Sequence, residues 1–297
     1  MPVIGDQVGL SLDRIVLATD FSPASKAATT YVMGLAKRYS SNVMVMHVVD
    51  LSIATPLEPA LVGIPLEEMR SGSEEKMERL LHEMTSKGIR ATAHTLEARN
   101  PAEVIVRLSE QLKANLIVTG THARHGLSKA IEGSCAEGII RHATCPVLTL
   151  GPKAKIPLEE GGCFQTIVFS TDLSPTAAKK AAVALSFAQD CEAKIYLCHI
   201  LKRPGEDIAE TLELQLRFES ALEKLIPQSS YDWCSPECVV EQGSVAPHIL
   251  ELAKKVQADL IVMGAKRSSS WLVPIANGVV GRVLIDAECP VLTICSD

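Results

Sequence analysis

The chain contains two copies of one sequence pattern, and this repeat constrains its fold more than any other feature. The segment Leu17–Pro23 (L-A-T-D-F-S-P) returns as Phe169–Pro175 (F-S-T-D-L-S-P). Farther along, residues 97–150 and 241–294 align without gaps and share 16 identities in 54 positions. Each copy is long enough to bury its own core, unlike the short unit of a solenoid. We therefore predict two tandem domains.

The predicted domains span residues 1–152 and 163–297. The stretch Lys153–Gly162 between them contains proline, charged residues and a glycine pair, which is typical of a linker. Each copy ends in a Pro-Val-Leu-Thr strand whose open edge would invite aggregation.

Composition narrows the class of protein. Apolar residues make up 47% of the chain but aromatic residues only 4%, which indicates an aliphatic core of Val/Ile-rich strands and Ala/Leu-rich helices. The net charge of −6 argues against a general nucleic-acid-binding protein. No apolar run reaches the roughly 18 residues of a membrane span, and residues 1–6 do not resemble a signal peptide. We expect a cytoplasmic protein that binds neither nucleic acid nor membrane.

Nine cysteines are scattered along the chain, and several stand in apolar runs. We expect them to be buried, reduced thiols. Cys234 and Cys238 are the only close pair. A single C-x3-C without a second pair or a histidine cluster is poor support for zinc, so no metal site is predicted.

Apolar runs alternate with helical patterns in both copies. This alternation predicts an α/β fold made of two tandem doubly wound domains, each a five-stranded parallel sheet with helices on both faces. In the first copy we predict strands over 14–19, 43–49, 90–96, 116–120 and 146–150, and helices over 23–39, 67–87, 101–112 and 135–142. In the second copy we predict strands near 166–171, 194–201, 236–241, 260–264 and 291–295.

In such a sheet, ligands bind beyond the carboxyl ends of the strands, where the strand order reverses. Asp20 and Asp50 close the first two strands, and the loop 120–134 follows the fourth. Gly133 and Ser134 stand just before a helix, whose free N–H groups and dipole favour an anion. Two interpretations stay open: the glycines and Ser134 hold a phosphate, or they form turns and cap the helix.

Other nucleotide and hydrolase motifs are missing. The chain has neither a Walker A sequence nor G-x-G-x-x-G, which excludes the P-loop and dinucleotide-binding classes on motif grounds. Ser22, Asp20 and His47 suggest a hydrolytic triad, but the chain lacks a G-x-S-x-G elbow. His47 also lies in an apolar strand run, where a core histidine is expected, so His122 on the loop is the better candidate for contacting a ligand.

Taken together, these motifs resemble the universal stress proteins, in a tandem form with two such domains in one chain. The resemblance rests on Thr-Asp-Phe-Ser-Pro after the first strand, His-Val-Val-Asp after the second, Asn-Pro-Ala opening the third helix and Gly-Thr-His…Arg-His-Gly-Leu after the fourth strand. The block from Gly133 to Val147 completes it. It covers nearly the whole chain except the linker and the termini. Domains of this family often pair through their last strand, so the resemblance implies that the two copies pair through their Pro-Val-Leu-Thr strands, with pseudo-two-fold symmetry.

The resemblance implies an adenine-nucleotide site. Nucleotide-binding members carry a G-x2-G-x9-G-[ST] loop for ribose and phosphates, an aspartate near the nucleotide and strand backbone facing the adenine. The second glycine of that pattern is replaced by Ala123, whose methyl group opposes close approach of a ligand. The implied binding residues in the first copy are Asp20, Val48, Gly120, His122, Ala123, Arg124, Gly133 and Ser134.

The second copy departs further from the pattern. Asp172 and Gly264 are kept, but Arg267, Asn277 and Gly278 stand where the first copy has Ala123, Gly133 and Ser134. We expect little or no ATP binding there. The alternative is that Lys266 and Arg267 supply cationic contacts in place of backbone N–H groups.

The resemblance implies a non-enzymatic sensor that binds ATP or AMP, with or without Mg, and acts in the stress response through a protein partner. No catalytic residue is predicted, because the loop places no recognisable base or metal-ligand set near the phosphates. A slow ATPase and a nucleotide-free interaction scaffold remain as alternatives, and a homodimer is a further association to test.

Overall fold

The computed structural model describes residues 11–51, 66–121, 135–155, 162–201, 208–267 and 278–296. Strands and helices alternate in both copies, as the sequence predicts, with differences of a few residues at their ends. The first copy comprises β1 (Arg14–Ala18), α1 (Pro23–Tyr39), β2 (Asn42–Asp50), α2 (Leu66–Ser86), β3 (Arg90–Ala98), α3 (Pro101–Gln111), β4 (Leu116–Gly120), α4 (Cys135–His142) and β5 (Val147–Leu150). The second comprises β6 (Thr166–Ser170), α5 (Ala177–Asp190), β7 (Lys194–Leu201), α6 (Ile208–Glu223), a 3₁₀ turn (Gln228–Asp232), β8 (Ser235–Gln242), α7 (Val245–Lys255), β9 (Leu260–Lys266), α8 (Val279–Asp286) and β10 (Val291–Ser296).

Capping residues set the ends of α1 and α3. The Ser22 hydroxyl accepts a hydrogen bond from the Ser25 N–H, and Pro23 occupies the first turn of α1. Asn100 accepts from the Glu103 N–H in the same way and is followed by Pro101. A side-chain oxygen before the helix and a proline at its start satisfy or remove N–H groups that would otherwise lack partners.

The ten strands form one sheet in the order β3-β2-β1-β4-β5-β10-β9-β6-β7-β8. Pairing is parallel within each copy and antiparallel at the single junction between β5 and β10. At that junction Leu148 lies opposite Leu292, flanked by the pairs Val147–Thr293 and Thr149–Val291. The predicted pairing through the last strands is therefore confirmed, and it converts two open edges into the middle of a continuous sheet.

Helices cover both faces of the sheet. Side chains alternate along each strand, so Ile15 and Leu17 face one layer of helices while Val16 and Ala18 face the other. The first layer contains α1, α2, α5 and α6, and the second contains α3, α4, α7 and α8. Each copy is therefore doubly wound, as predicted from the alternation of elements.

The core of the first layer is continuous across the two copies. The ring of Phe164 stacks on Tyr31 of α1, with centroids 6.4 Å apart, and meets Phe187 of α5 edge-on at 5.8 Å. Beside these rings, Asp190 at the end of α5 accepts hydrogen bonds from Arg38 Nε at 2.8 Å and from the Tyr39 hydroxyl at 2.5 Å. Apolar and polar contacts thus hold α1 against α5.

One pair of cysteines departs from the prediction that all are reduced thiols. Cys163 and Cys191 form a disulfide, with Cα atoms 5.5 Å apart and 28 residues between them in sequence. Cys163 precedes Phe164 and Cys191 ends α5, so the bond ties the entry of the second copy to that helix. Their proximity arises from the packing of α5 on β6, which the spacing in sequence does not reveal. The seven other cysteines are free.

Neither a membrane-spanning helix nor a cluster of metal ligands is present among the described residues. No helix in that part of the chain is long and apolar enough to cross a membrane. Within the same residues, no group of three or more His, Cys, Asp or Glu side chains is arranged to hold a metal ion.

We predict that the β5–β10 junction stabilises both copies together. Leu292 is fully buried there, so Leu292→Ala should lower the free energy of unfolding by about 2–5 kcal/mol, and the loss should appear in a single urea transition. The control is Leu212→Ala on α6, where the side chain is 55% exposed and the change should stay within about 0.5 kcal/mol. A separate early transition of one copy would contradict this prediction.

Candidate functional site

The strand order of the first copy reverses between β1 and β4. Strand β1 lies between β2 and β4, and the helices that follow β1 and β4 pack on opposite faces of the sheet. The carboxyl ends of these strands, near Ala18, Asp50 and Gly120, therefore border a crevice at one edge of the sheet. Crevices of this kind are where open α/β sheets bind their ligands.

A tight turn fixes Asp20 at this crevice. Phe21 adopts the left-handed conformation, with φ of 60°, and its N–H donates to Thr19 Oγ1. The turn brings Asp20 Oδ1 to within 3.0 Å of the Ser22 N–H and 2.5 Å of the Ser25 hydroxyl, both of which donate to it. An exposed carboxylate is thus held in one position at the start of α1.

The backbone of Val48 is exposed to the crevice because β2 continues past β1. Ala18, the last residue of β1, pairs with Met46, and Thr19 N–H donates to the Met46 carbonyl at 2.9 Å. Val48 lies two residues farther, so its N–H and carbonyl point to the same side as those of Met46. The chain has already turned away at Phe21, and among the described residues no backbone group pairs with Val48 on that side.

His47 supports the turn rather than forming part of a triad. Its Nδ1 donates to the Thr19 carbonyl at 2.8 Å, and its ring lies 4.8 Å from that of Phe21. Burial lowers the pKa of His47, although the Thr19 carbonyl and Asp20 oppose that effect. The prediction of a structural histidine is confirmed by these contacts.

Gly120 is required by packing. A Cβ atom at this position would lie 2.4 Å from the Ala24 carbonyl carbon and 2.7 Å from the Ser25 nitrogen. The first turn of α1 therefore rests directly on the end of β4. This contact explains the glycine whether or not a ligand also approaches it.

The start of α4 is close enough to Asp20 and Asp50 for their charges to act on it. Burial, with smaller contributions from the negative charges of Asp20 and Asp50, raises the pKa of the Cys135 thiol to about 12. Cys135 is the first residue of α4, so the positive end of that helix lies near the two carboxylates. The other loop residues that the sequence predicts to bind ligand, namely His122, Ala123, Arg124, Gly133 and Ser134, lie outside the described residues.

The second copy reproduces the turn. Leu173 has φ of 54°, Ser174 N–H donates to Asp172 Oδ1 at 3.1 Å, and His199 Nδ1 donates to the Thr171 carbonyl at 2.9 Å. Burial opposes ionisation of Asp172, but the hydrogen bonds from Ser174 and the charge of Lys180 outweigh it and lower the Asp172 pKa.

The two cationic residues at the end of β9, Lys266 and Arg267, have different surroundings. Arg267 Nη2 donates to the Ala143 carbonyl at the end of α4, 3.4 Å away in the first copy. Lys266 is the exposed last residue of β9. Gly278 precedes α8 and supplies no side-chain cap, and Asn277 lies outside the described residues. The contact with Ala143 gives Arg267 a role between the copies.

Sequence reasoning missed two residues of these crevices, Ser25 and Lys180. Ser25 anchors Asp20, and the equivalent residue of the second copy is Ala177. Lys180 lies against Gly264, and its equivalent in the first copy is Ala28. The signal was present in the repeat, because both positions change residue type beside the shared Thr-Asp-x-Ser-Pro motif.

Comparison with known proteins identifies the family. The model of the universal stress protein family matches residues 11–150 and 164–294, so this chain belongs to the universal stress protein family and carries two tandem matches. A universal stress protein from Methanocaldococcus jannaschii is 34% identical over 141 residues, covering 46% of this chain and 81% of the relative. A putative universal stress protein from Staphylococcus aureus is 27% identical over 165 residues, covering 55% and 96%.

One solved structure supports the fold over nearly the whole chain. A universal stress protein from Archaeoglobus fulgidus superposes with a TM-score of 0.74 at 19% identity, covering 97% of this chain and 98% of the other. A universal stress protein in complex with cAMP covers 47% of this chain and 97% of its own, with a TM-score of 0.34 at 16% identity. The first shows that the tandem architecture is shared, and the second describes a ligand of that protein alone.

We predict that alanine is tolerated differently at the two equivalent glycines. Gly120→Ala places a methyl group against helix backbone and should cost about 1–3 kcal/mol of stability. At Gly264 the nearest atoms, 2.9–3.1 Å away, belong to the flexible end of Lys180, so Gly264→Ala should cost less than about 1 kcal/mol. Urea denaturation of both variants tests this, and equal losses would contradict the packing role of Gly120.

We predict that His47 makes the protein less stable in acid. Because its pKa is lowered in the folded state, the unfolded chain binds the proton first, near the ordinary histidine pKa of about 6.5. The free energy of unfolding should therefore fall as the pH decreases below about 6.5. His47→Asn keeps a donor for the Thr19 carbonyl and should show a shallower slope in urea denaturation across this range. Identical slopes would refute the assignment.

Proposed function

We propose that this universal stress protein is a cytoplasmic, non-enzymatic regulator that binds one adenine nucleotide, ATP or AMP, in its first domain. We take the two domains to span residues 1–152 and 163–297. The observation that carries the proposal is the convergence of three features on one crevice: the anchored Asp20 carboxylate, the open backbone of Val48 and the N-terminus of α4 beside Cys135.

Each feature suits one part of a nucleotide. A strand backbone with free N–H and carbonyl groups offers the donor and acceptor that the edge of an adenine needs. A fixed carboxylate accepts hydrogen bonds from ribose hydroxyls. The N-terminus of a helix favours phosphate through its free N–H groups and its dipole. The residues present in the crevice therefore fit an adenine nucleotide, with His122, Ala123, Arg124, Gly133 and Ser134 proposed to complete the phosphate side.

The second domain is proposed not to bind the nucleotide. Ala177 lacks the hydroxyl that anchors Asp20 in the first copy, and the side chain of Lys180 lies beside Gly264. Arg267 contacts the first copy, which weakens the alternative that it supplies a cation to the second crevice. The changes at Asn277 and Gly278 act in the same direction.

The proposed role is regulatory, and a protein partner or a second copy of the chain is the proposed reader of the nucleotide state. A slow ATPase and a nucleotide-free scaffold are separate outcomes of simple measurements. Release of phosphate in a single-turnover assay with ATP and magnesium would show an ATPase. Purified protein that carries no nucleotide after denaturation, and binds none in titration, would show a scaffold.

We predict one nucleotide per chain in isothermal titration with AMP or ATP. Asp20→Asn should weaken binding about tenfold or more, because the carboxylate no longer accepts from two ribose hydroxyls. The matched control is Asp172→Asn in the second copy, which should leave the affinity unchanged. Two equal sites, or equal losses in both variants, would contradict the assignment to the first domain.

We predict that Ala123→Gly tightens nucleotide binding, up to about tenfold, because removal of the methyl group allows closer approach of the phosphates. Gly133→Val should abolish binding, since its side chain would occupy the phosphate position. Arg267→Gly should have little effect, because Asn277 and Gly278 remain. Dissociation constants for ATP at fixed magnesium concentration test all three, and weaker binding by Ala123→Gly would refute the expected fit of the loop.

A further inference from the structure

An apolar row of side chains, which we call the α6 stripe, lies exposed on helix α6 of the second copy. It consists of Ile208, Leu212 and Leu216, which are 89%, 55% and 59% exposed. Residues four apart lie on one face of a helix, so the three side chains form a single row about 12 Å long. Scattered apolar side chains are normal on a protein surface, but a continuous row on one helix face is typical of an interaction site.

The first copy carries charged residues at the same positions. Helices α2 and α6 align on their fully buried residues Met84 and Leu222. In that alignment the three positions of the α6 stripe correspond to Arg70, Glu74 and Glu78, all of them exposed. Arg70 Nε lies 3.3 Å from Glu74 Oε1 in an ion pair on the surface. The fold therefore does not require apolar side chains on this face of the helix, and the stripe is specific to the second copy.

Two exposed aromatic residues follow the helix. Tyr231 belongs to the 3₁₀ turn after α6 and Trp233 ends that turn, and their side chains are 50% and 59% exposed. Burial raises the pKa of Tyr231, and the charge of Glu223 in the last turn of α6 contributes to the increase. The Tyr231 ring therefore lies near the end of α6. Tyrosine and tryptophan are enriched at protein–protein interfaces.

Acidic residues border the α6 stripe. Glu213 and Glu219 each stand three residues from Leu216, and Glu223 stands four residues beyond Glu219. At these spacings the three carboxylates lie next to the stripe or continue its row. Arg217 is the only basic residue of the helix. A partner that buries the stripe must therefore bring positive charge to its border.

A second copy of the chain does not meet this requirement. If two α6 stripes packed against each other, the glutamates of one would meet those of the other, and like charges across an interface oppose association. An anionic lipid surface is disfavoured for the same reason. The spacing of four residues instead matches the apolar row of another amphipathic helix.

We propose that the α6 stripe is a docking surface for a basic amphipathic helix of a partner protein. Aliphatic side chains of that helix would pack on Leu212 and Leu216, and its lysine or arginine side chains would lie against Glu213 and Glu219. The proposal deepens the regulatory role proposed above and rests on it, because it assigns a surface and a chemistry to the protein partner. It does not depend on nucleotide binding in the first domain.

The test is fluorescence anisotropy of the full-length protein with a labelled helical peptide of about 18 residues, or five turns. The peptide consists of lysine and leucine, with the leucines on one face, and a matched peptide has glutamate in place of every lysine. We expect the lysine peptide to bind and the glutamate peptide to bind at least about tenfold more weakly, because its charges oppose those of Glu213 and Glu219. Equal binding of the two peptides, or no binding of the lysine peptide, would overturn the proposal.

Variants of the protein locate the binding. The double variant Leu212→Ala/Leu216→Ala should weaken binding of the lysine peptide about tenfold or more, because central apolar contacts carry most of the energy of an interface. The matched control Glu74→Ala/Glu78→Ala changes the equivalent positions of α2 and should leave it unchanged. Equal affinities in the two double variants would place the peptide elsewhere and refute the proposal. Asp20→Asn should not alter peptide binding, so failure of this proposal is distinguishable from failure of the nucleotide proposal.

Two measurements without the peptide test the other occupants of the stripe. Sedimentation equilibrium should show no dimer that Leu212→Ala/Leu216→Ala dissociates. Flotation with phosphatidylglycerol vesicles should show no binding that this double variant abolishes. A positive result in the first would assign the stripe to a second copy of the chain, and a positive result in the second would assign it to a membrane surface. Either result would overturn the proposal.

Discussion

Strands β5 and β10 pair in antiparallel register at the centre of the sheet, and this junction joins the two copies into one ten-stranded sheet. Because pairing is parallel within each copy, the junction reverses strand direction between the copies. The strands of the two copies therefore run in opposite directions, and their carboxyl ends lie on opposite sides of the sheet, along the direction of the strands. The two crevices lie on either side of the junction, and α4 of the first copy packs against β9 and β10 of the second. Its first residue lies near Asp20, and Arg267 contacts its end.

The two copies keep the same backbone turn and differ in chemistry. Both have a threonine carbonyl that accepts from a histidine Nδ1, and both have a residue in the left-handed conformation after the aspartate. Exchange of Ser25 for alanine and of Ala28 for lysine then changes which groups surround that aspartate. The turn is therefore the same in both copies, whereas the side chains around it differ.

Packing alone explains why position 120 is a glycine, so Gly120 is not evidence for a ligand. A Cβ atom there would clash with the backbone of Ala24, whereas the corresponding Gly264 lies against the flexible side chain of Lys180. The support for a nucleotide in the first domain therefore comes from other groups. These are the carboxylate of Asp20, the backbone N–H and carbonyl of Val48 on β2, and the N-terminus of α4.

The sequence by itself determined the order and approximate bounds of the elements and the doubly wound class, because apolar periodicity and capping residues act locally. It also located Asp20, Val48 and Gly120 at the ends of their strands. Only the tertiary structure decided which distant groups meet. The disulfide of Cys163 with Cys191, the contact of Arg267 with Ala143 and the burial of Lys180 against Gly264 all depend on how helices pack on the sheet. That packing is set by the shapes of many side chains together, and spacing along the chain does not reveal it.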